Sequence, residues 1–356
     1  MLCLVLAVAL TATPAKAAPT VVAVPVAIDL AFPTAFDFTP GGRIFYTERY
    51  TGNIRIFNPA TGSNTLFYHL PDLVDRGEEG LLGIALHPRY PDRPLVYAYY
   101  TRQVGDTVQA QIVRLRNEAG SGTLLKVILR LPAADHHVGG VIHFGPDGNL
   151  YAVVGEHNNP AEAQDLSSFG GKVLRMRPNG RVPSTNPFSD SIVWSYGHRN
   201  MFGFAFDPLK KGRIWLTENG PECNDEINLV RKGLNYGWGP SETCATPPDP
   251  PANTNQDGPS PVMPLAWISP PVAFTGGVFC TGCHLGSQVE GTFLAGAFNG
   301  GDIRMFVPTA DRNGVASKSI LYHHPPGFGV LALERGPDGS VYFSDGGRIF
   351  RLELSS

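Results

Sequence analysis

Val141–Glu156 reads VIHFGPDGNLYAVVGE, and Leu331–Leu354 reads LALERGPDGSVYFSDGGRIFRLEL. Each stretch opens on a short apolar run, turns on Gly-Pro-Asp-Gly and leaves on a strand rich in aromatic and β-branched residues. A tight hairpin between alternating apolar runs needs φ > 0, which Gly148 and Gly339 supply without steric cost. The same order recurs in GGRIFYTERYTGNIRIF after Phe36-Asp37-Phe38, and in GIALHPRYPDRPLVYAYYT with QIVRLR. It returns in GFAFDPLKKGRIWLTENG with DEINLVRKG, and in EGTFLAGAFNGGDIRMF. With GKVLRMRPNG completing the Val141 copy, the chain holds about six copies at unequal spacing.

One such small sheet cannot bury both of its faces. Copies stacked around an axis bury them against one another and leave few exposed edges. The chain is therefore read as all-β, a six-bladed β-propeller forming a single domain over 18–356. VVAVPVAIDL, Val21–Leu30, is expected to close the ring by adding a strand to the last blade. The competing fold, a pair of β-sandwiches, has to treat the repeated turns as coincidence. Thr243–Pro271, rich in Pro, Asn and Asp, lacks strand periodicity and is read as a long loop on one rim.

Composition agrees with short strands and many turns. The 356 residues include 41 Gly and 32 Pro, about a fifth of the chain against roughly an eighth in an average protein. Hydrophobic residues at 42% leave ample material for a core, while charged residues at 17% are too few for the solvated faces of a helical bundle. The formal net charge is −3 with Lys and Arg scattered, so there is no basic face for nucleic acid.

Met1–Thr13 is an apolar run followed by Ala15-Lys16-Ala17, so residues 1–17 are read as a signal peptide and the protein as secreted or periplasmic. No Lys or Arg precedes the run, a departure from the usual signal. No later segment approaches the roughly 18–20 apolar residues of a spanning helix, so no membrane span is expected. Cleavage removes Cys3 and leaves four cysteines, an even number suited to an oxidising compartment. Disulfides Cys223–Cys244 and Cys280–Cys283 are expected ahead of a zinc site, because a lone C-x-x-C with two distant cysteines matches zinc spacing poorly.

Three clusters interrupt the strand pattern. In Asp135-His136-His137-Val138-Gly139-Gly140, His137 at a loop-to-strand junction suits a general base, and the glycines let backbone approach a flat ligand. Tyr196-Gly197-His198-Arg199-Asn200 offers a planar guanidinium fork for a carboxylate or quinone oxygen. Glu218-Asn219-Gly220-Pro221, Asp225-Glu226-Ile227-Asn228 and Asn235-Tyr236-Gly237-Trp238 concentrate oxygen ligands suited to a hard cation such as Ca²⁺, without EF-hand spacing. Glu79, in Gly77-Glu78-Glu79-Gly80, is a candidate substrate-binding carboxylate on the same rim.

In order, GEEGLLGIALHP, HHVGG with FGPDGNLY, GKVLRMRPNG, NPF with YGHRN, and TENGP with DEIN and NYGW resemble the soluble PQQ-dependent sugar (aldose) dehydrogenase family. The likeness runs from about Phe36 to Trp238 and more loosely beyond. It implies a six-bladed propeller with the quinone PQQ across one face, His137 as base, and Arg199 and Asn200 as cofactor contacts. It also implies backbone carbonyls of Gly220 and Pro221 as ligands to a Ca²⁺ at the cofactor, and a further Ca²⁺ position at Glu226 and Tyr236. The reaction implied is oxidation of a sugar hydroxyl, with electrons passed to an acceptor that the sequence does not identify.

The chain departs from that pattern in two places. Where glucose-oxidising members carry a Lys that reaches the cofactor, Asn299 or a glycine stands, with Arg304 nearby in the strand. His136 stands where some members carry an acid beside the base. A non-oxidative propeller is therefore the competing function, either a Ca²⁺-dependent lactonase-type hydrolase or a carbohydrate-binding module that has lost the cofactor.

Overall fold

A computed structural model describes residues 20–239, 259–325 and 327–355. Six four-stranded antiparallel sheets make up the fold, and five of them take four strands consecutive in the chain. The first strands of the blades are Phe36–Phe38, Leu81–Leu86, Ile142–Phe144, Asn200–Phe206, Phe274–Phe279 and Leu333–Arg335. Residues on or beside all six line one narrow void, which marks the propeller axis. The sixth blade is completed by Val21–Ala27, which pairs antiparallel with Ile349–Leu354 and sets Val21 opposite Leu354. The ring closes through the N-terminal strand, as the sequence led one to expect.

The core lies between blades rather than within them. Six apolar clusters form, one at each junction between neighbouring blades. Tyr97 and Tyr99 of the second blade meet Leu150 and Leu174 of the third. Trp215 and Ile227 of the fourth meet Phe274 and Phe306 of the fifth. Phe36 and Ile44 of the first meet Tyr342 and Ile349 of the sixth, across the closure. This is the burial that a lone sheet cannot achieve.

The Gly-Pro-Asp-Gly turns form as read. Gly148 has φ 74° and Gly339 φ 88°, and Gly148 N–H donates to Gly145 O at 2.9 Å. Asp147 does more than turn the chain. Its Oδ2 accepts from Arg175 Nε at 2.9 Å and Nη2 at 2.8 Å, and Arg175 lies over the Trp194 ring.

Two boundaries differ from the reading. The fifth blade begins at Phe274–Phe279, before the copy seen at Glu290, because its first strand reads FTGGVF and its two glycines weaken the strand signal. Gly276 belongs there for steric reasons: a Cβ on it would sit 2.3 Å from Leu333 N of the next blade. Ala266–Ile268, inside the stretch read as loop, is the outer strand of the fourth blade and pairs with Asp225–Ile227. Three residues are too few to show a period of two.

Cys280 and Cys283 form a disulfide. Cys223 is also disulfide-bonded, while Cys244, its expected partner, and residues 1–17 lie outside the described residues. Among the described residues no helix is long and apolar enough to cross a membrane.

The axial void, about 20 Å³, carries ionisable groups. His143 Nε2 stands 3.5 Å from Glu334 Oε1. Burial pushes the His143 imidazole down to about 4 and raises the Glu334 carboxyl well above its usual range. Asp37, which accepts backbone N–H groups from Phe38 and Leu86, is raised by burial to about 6.

Candidate functional site

Directly above this void, at one end of the axis, lies a cavity of about 250 Å³. Its walls are largely apolar: Phe32, Leu82, Val141, Phe202, Phe274, Phe298 and Leu331. Polar groups are few, namely Arg49, Glu78, Asn219, Thr34 and Thr275.

His137 stands beside the wall formed by Glu78 and Gly139. Its backbone is left-handed, φ 53°, and its N–H donates to Glu78 Oε2 at 2.6 Å. Its Nδ1 lies 2.7 Å from both carboxylate oxygens of Glu156, and Glu156 is 1% exposed. A buried carboxylate at this distance accepts the Nδ1–H hydrogen bond and so keeps the proton on Nδ1, leaving Nε2 with the free lone pair, the arrangement of an oriented imidazole base. The glycines after His137 serve the chain's own packing. A Cβ on Gly140 would sit 2.6 Å from Leu82 Cβ.

Asn200 is bound to the same carboxylate, its Nδ2 donating to Glu78 Oε2 at 3.1 Å. One acid thus ties the entry to the third blade to the first strand of the fourth. Glu79, the carboxylate singled out in the sequence, is not on the cavity wall. It is buried, with Oε2 3.1 Å from Arg76 Nε, while Glu78 lines the cavity in its place.

A second, smaller void of about 10 Å³ adjoins the first through Asn219. Arg199, Glu218, Gly220, Pro221, Asn224, Glu226, Tyr236 and Trp238 complete its lining, so Arg199, Gly220, Pro221, Glu226 and Tyr236, all singled out in the sequence, come together here. Arg199 Nη1 donates to Asn219 O at 3.1 Å and Gly220 O at 2.9 Å, and the guanidinium lies over Trp238. The Arg199 backbone N–H donates to Glu218 Oε1 at 2.6 Å.

Glu218 also receives His198 Nδ1 at 2.8 Å, and His198 Nε2 lies 2.9 Å from Ser195 Oγ. This Ser–His–Glu chain is buried throughout, so it holds Glu218 in place rather than meeting a substrate. Asn228 Nδ2 bridges Glu218 and Glu226 at 3.1 and 3.0 Å. Burial first, and the Glu218 charge next, push the Glu226 carboxyl well above its usual range.

The donor set of this void fits a hard cation. Among the described residues, the buried side-chain oxygens of Asn219, Asn224 and Asn228 have no partner, and two carboxylates stand together beside them. Two of the expected ligands are qualified by the geometry. The Gly220 carbonyl is already engaged by Arg199. The Tyr236 phenol donates to Leu229 O at 2.6 Å and accepts from Arg231 N, so only its backbone can face an ion. The Asn224–Glu226 end is where a cation fits best.

The region of the missing lysine is apolar. Phe298 lines the cavity and Asn299 donates its N–H to Val272 O. Arg304 does not line the cavity; its Nη2 is 3.0 Å from Asp302 Oδ2. His136 pairs with Asp135 at the exposed edge, Nδ1 to Oδ1 3.1 Å. Sequence reading missed Glu78, Glu156 and Arg49. Glu78 is the immediate neighbour of the residue chosen, and Glu156 closes the strand of the Val141 copy.

Comparison with known proteins supplies the context. The glucose/sorbosone dehydrogenase family model matches residues 30–351. An aldose sugar dehydrogenase of Escherichia coli is 33% identical over 235 residues, 62% of this chain and 63% of that protein. Quinoprotein glucose dehydrogenase B of Acinetobacter calcoaceticus is 33% identical over 239 residues, 58% of this chain and 50% of its own length. A PQQ-bound aldose sugar dehydrogenase of Streptomyces coelicolor is similar in structure, with a TM-score of 0.79 at 28% identity over 96% of this chain and 99% of that one.

Proposed function

This chain belongs to the glucose/sorbosone dehydrogenase family, and we propose that it oxidises a hydroxyl of an aldose sugar, with PQQ and Ca²⁺ as cofactors and His137 as general base. The observation that carries the reading is the buried Glu156 carboxylate 2.7 Å from His137 Nδ1, beside the wall of the axial cavity. When bound, PQQ supplies a hydride acceptor and Ca²⁺ supplies Lewis-acid polarisation.

The residues present suit both groups. Apolar, partly aromatic walls suit a flat ring system. Arg199, in the adjoining void, and Asn200, held by Glu78, are the polar contacts of this reading, and the Asn224–Glu226 cluster with Gly220, Pro221 and the Tyr236 backbone supplies oxygen ligands to the cation. Glu156 holds His137 in one tautomer, and Nε2 takes the hydroxyl proton of the sugar. Glu78 fixes the His137 backbone and the Asn200 amide, and so the spacing between base and ligand. A signal peptide over 1–17, secretion and the remaining single domain belong to the same proposal.

A specific observation favours a second reading. The wall at Phe298 carries no cation and Arg304 is paired with Asp302, which fits a non-oxidative propeller that has lost the cofactor. One experiment decides between them. PQQ and Ca²⁺ are added to the purified protein, and dye reduction is followed with a panel of aldoses. Absence of PQQ binding at micromolar concentrations refutes the oxidative reading. If PQQ binds, His137→Ala is expected to abolish turnover while retaining the absorbance of the bound cofactor; retained turnover means that the base is another group. Chelation of Ca²⁺ is expected to lower the melting temperature.

A further inference from the structure

Among the described residues, Arg49 is the one cationic side chain on the wall of the axial cavity. Its guanidinium is fixed from several sides. Nε donates to Glu79 O at 3.0 Å, and Nη2 donates to Gly77 O. Nη1 donates to Tyr50 Oη at 3.2 Å, and the plane lies 4.9 Å from the Tyr50 ring and 5.6 Å from the Phe32 ring. These contacts engage Nε and one N–H on each terminal nitrogen, which leaves two of the five N–H groups of a guanidinium for a ligand.

A structural arginine wholly consumed by its own chain needs no cavity in front of it. This one holds its fork rigid at the edge of a space lined by Phe32, Phe298 and Leu331. An anion brought into such a space sheds water against apolar walls and the Glu78 carboxylate, and it needs a fixed cation to offset that cost. Neither the Ala297–Gly301 hairpin, where the expected lysine is absent, nor Arg304, tied to Asp302, supplies one.

We propose that Arg49 binds a carboxylate of the quinone cofactor, replacing from the first blade the cation that the fifth blade lacks. The inference rests on the PQQ reading above. A prepositioned guanidinium is the side chain best matched to a carboxylate, because its two remaining donors are directed and little rotamer freedom is left to lose.

The test is equilibrium binding, read from the cofactor's absorbance in the presence of Ca²⁺, for the wild type, Arg49→Gln and Arg49→Lys. Arg49→Gln is expected to weaken PQQ binding roughly ten- to a hundred-fold, the range for losing a hydrogen bond to a charged group. Arg49→Lys, which keeps the charge without the fork, is expected to fall between. The trimethyl ester of PQQ, which carries no charge, is expected to bind wild type and Arg49→Gln alike, and this also controls for folding. Equal PQQ affinity in wild type and Arg49→Gln overturns the proposal and leaves the functional reading standing. So does an ester that loses as much affinity as PQQ, because the loss then comes from a disturbed Gly77–Glu79 loop. A wild type that takes no PQQ overturns both.

Discussion

Replacing Glu156 by Gln probes the proposed base with the least disturbance of shape. Both Glu156 oxygens lie 2.7 Å from His137 Nδ1, and the residue is 1% exposed, so solvent cannot take over the contact. Gln fills the same volume but presents an amide with one acceptor and one donor face. If its N–H₂ faces Nδ1, the imidazole must carry its proton on Nε2, and the lone pair that accepts the substrate proton is gone. If its oxygen faces Nδ1, the tautomer survives but the carboxylate charge that stabilises the imidazolium is lost. Inverting the tautomer of a catalytic imidazole costs about 10³–10⁴ in rate, or about 4–5 kcal/mol of transition-state stabilisation. Turnover of Glu156→Gln at saturating cofactor and sugar is therefore expected to fall by that factor, with PQQ affinity unchanged. Nitrogen-15 NMR of the His137 ring supplies a readout that does not depend on activity: Nδ1–H in the wild type, and a shift towards Nε2–H in the variant. A variant that keeps a tenth of wild-type turnover, or a wild-type ring protonated on Nε2, refutes the assignment of Glu156 as the orienting group.

Other consequences concern the frame that holds the site. Asp147 and Asp338 occupy the same place in two Gly-Pro-Asp-Gly turns, but only Asp147 holds an arginine, through two N–H groups on one carboxylate oxygen. Asp338→Asn is expected to cost about 0.5–1 kcal/mol and Asp147→Asn about 2–3 kcal/mol, between surface and buried ion pairs because Asp147 is one-third exposed; equal midpoints in urea would remove the ion pair from the account. Lys172→Met leaves the carbonyls of Glu162, Ala163 and Gly170 without their buried donor, and a loss of about 3–5 kcal/mol is expected from urea unfolding. At the axis, Asp37 is raised from 3.8 to about 6, so the folded state binds more protons than the unfolded and stability falls as pH rises from about 4 to 6. His143, lowered from 6.5 to about 4, acts in the opposite sense over the same window. Asp37→Asn removes the first effect, and relative to wild type it is expected to gain about 3 kcal/mol of stability between pH 4 and 6.5; parallel pH profiles for the two proteins would exclude this coupling.

How much of this was legible depended on whether a feature is local. The blades were legible because each is a hairpin whose turn chemistry sits within a few residues, as at Gly145–Asn149. The fifth blade's first strand was not, because Gly276 is there for the approach of Leu333 from the next blade, a contact that its own sequence does not encode. The same division runs through the site. His137, Arg199, Asn200 and the Gly220–Tyr236 group could be singled out as candidates, because unusual residues interrupt the strand pattern where they occur. Glu78 was passed over for Glu79, since nothing within GEEG says which of two adjacent acids faces the axis. Glu156 and Arg49 stand in unremarkable strand-end sequence, and their surroundings exist only once His137 is brought beside the one and the Gly77 and Glu79 carbonyls beside the other.

Several acids near the axis have a role that composition cannot reveal. Glu78 accepts N–H groups from His137 and Val138 at the start of the third blade. Asp225, in the fourth, accepts those of Val272 and Ala273 at the start of the fifth. Asp37, in the first, accepts that of Leu86 in the second. The first strand of each blade lies along the axis with a free inner edge, where backbone donors lack a ladder partner and must be satisfied by something else. A carboxylate from another blade accepts two donors at once and fixes the angle between blades, which an apolar contact does not. Acids placed for this purpose are spent. The candidates for chemistry face groups besides backbone N–H: Glu156 an imidazole, and Glu226 the Glu218 carboxylate and orphaned amide oxygens. The crowded acidic motifs of the sequence thus separate by partner, and the catalytic and cation-binding candidates are those that folding does not already require.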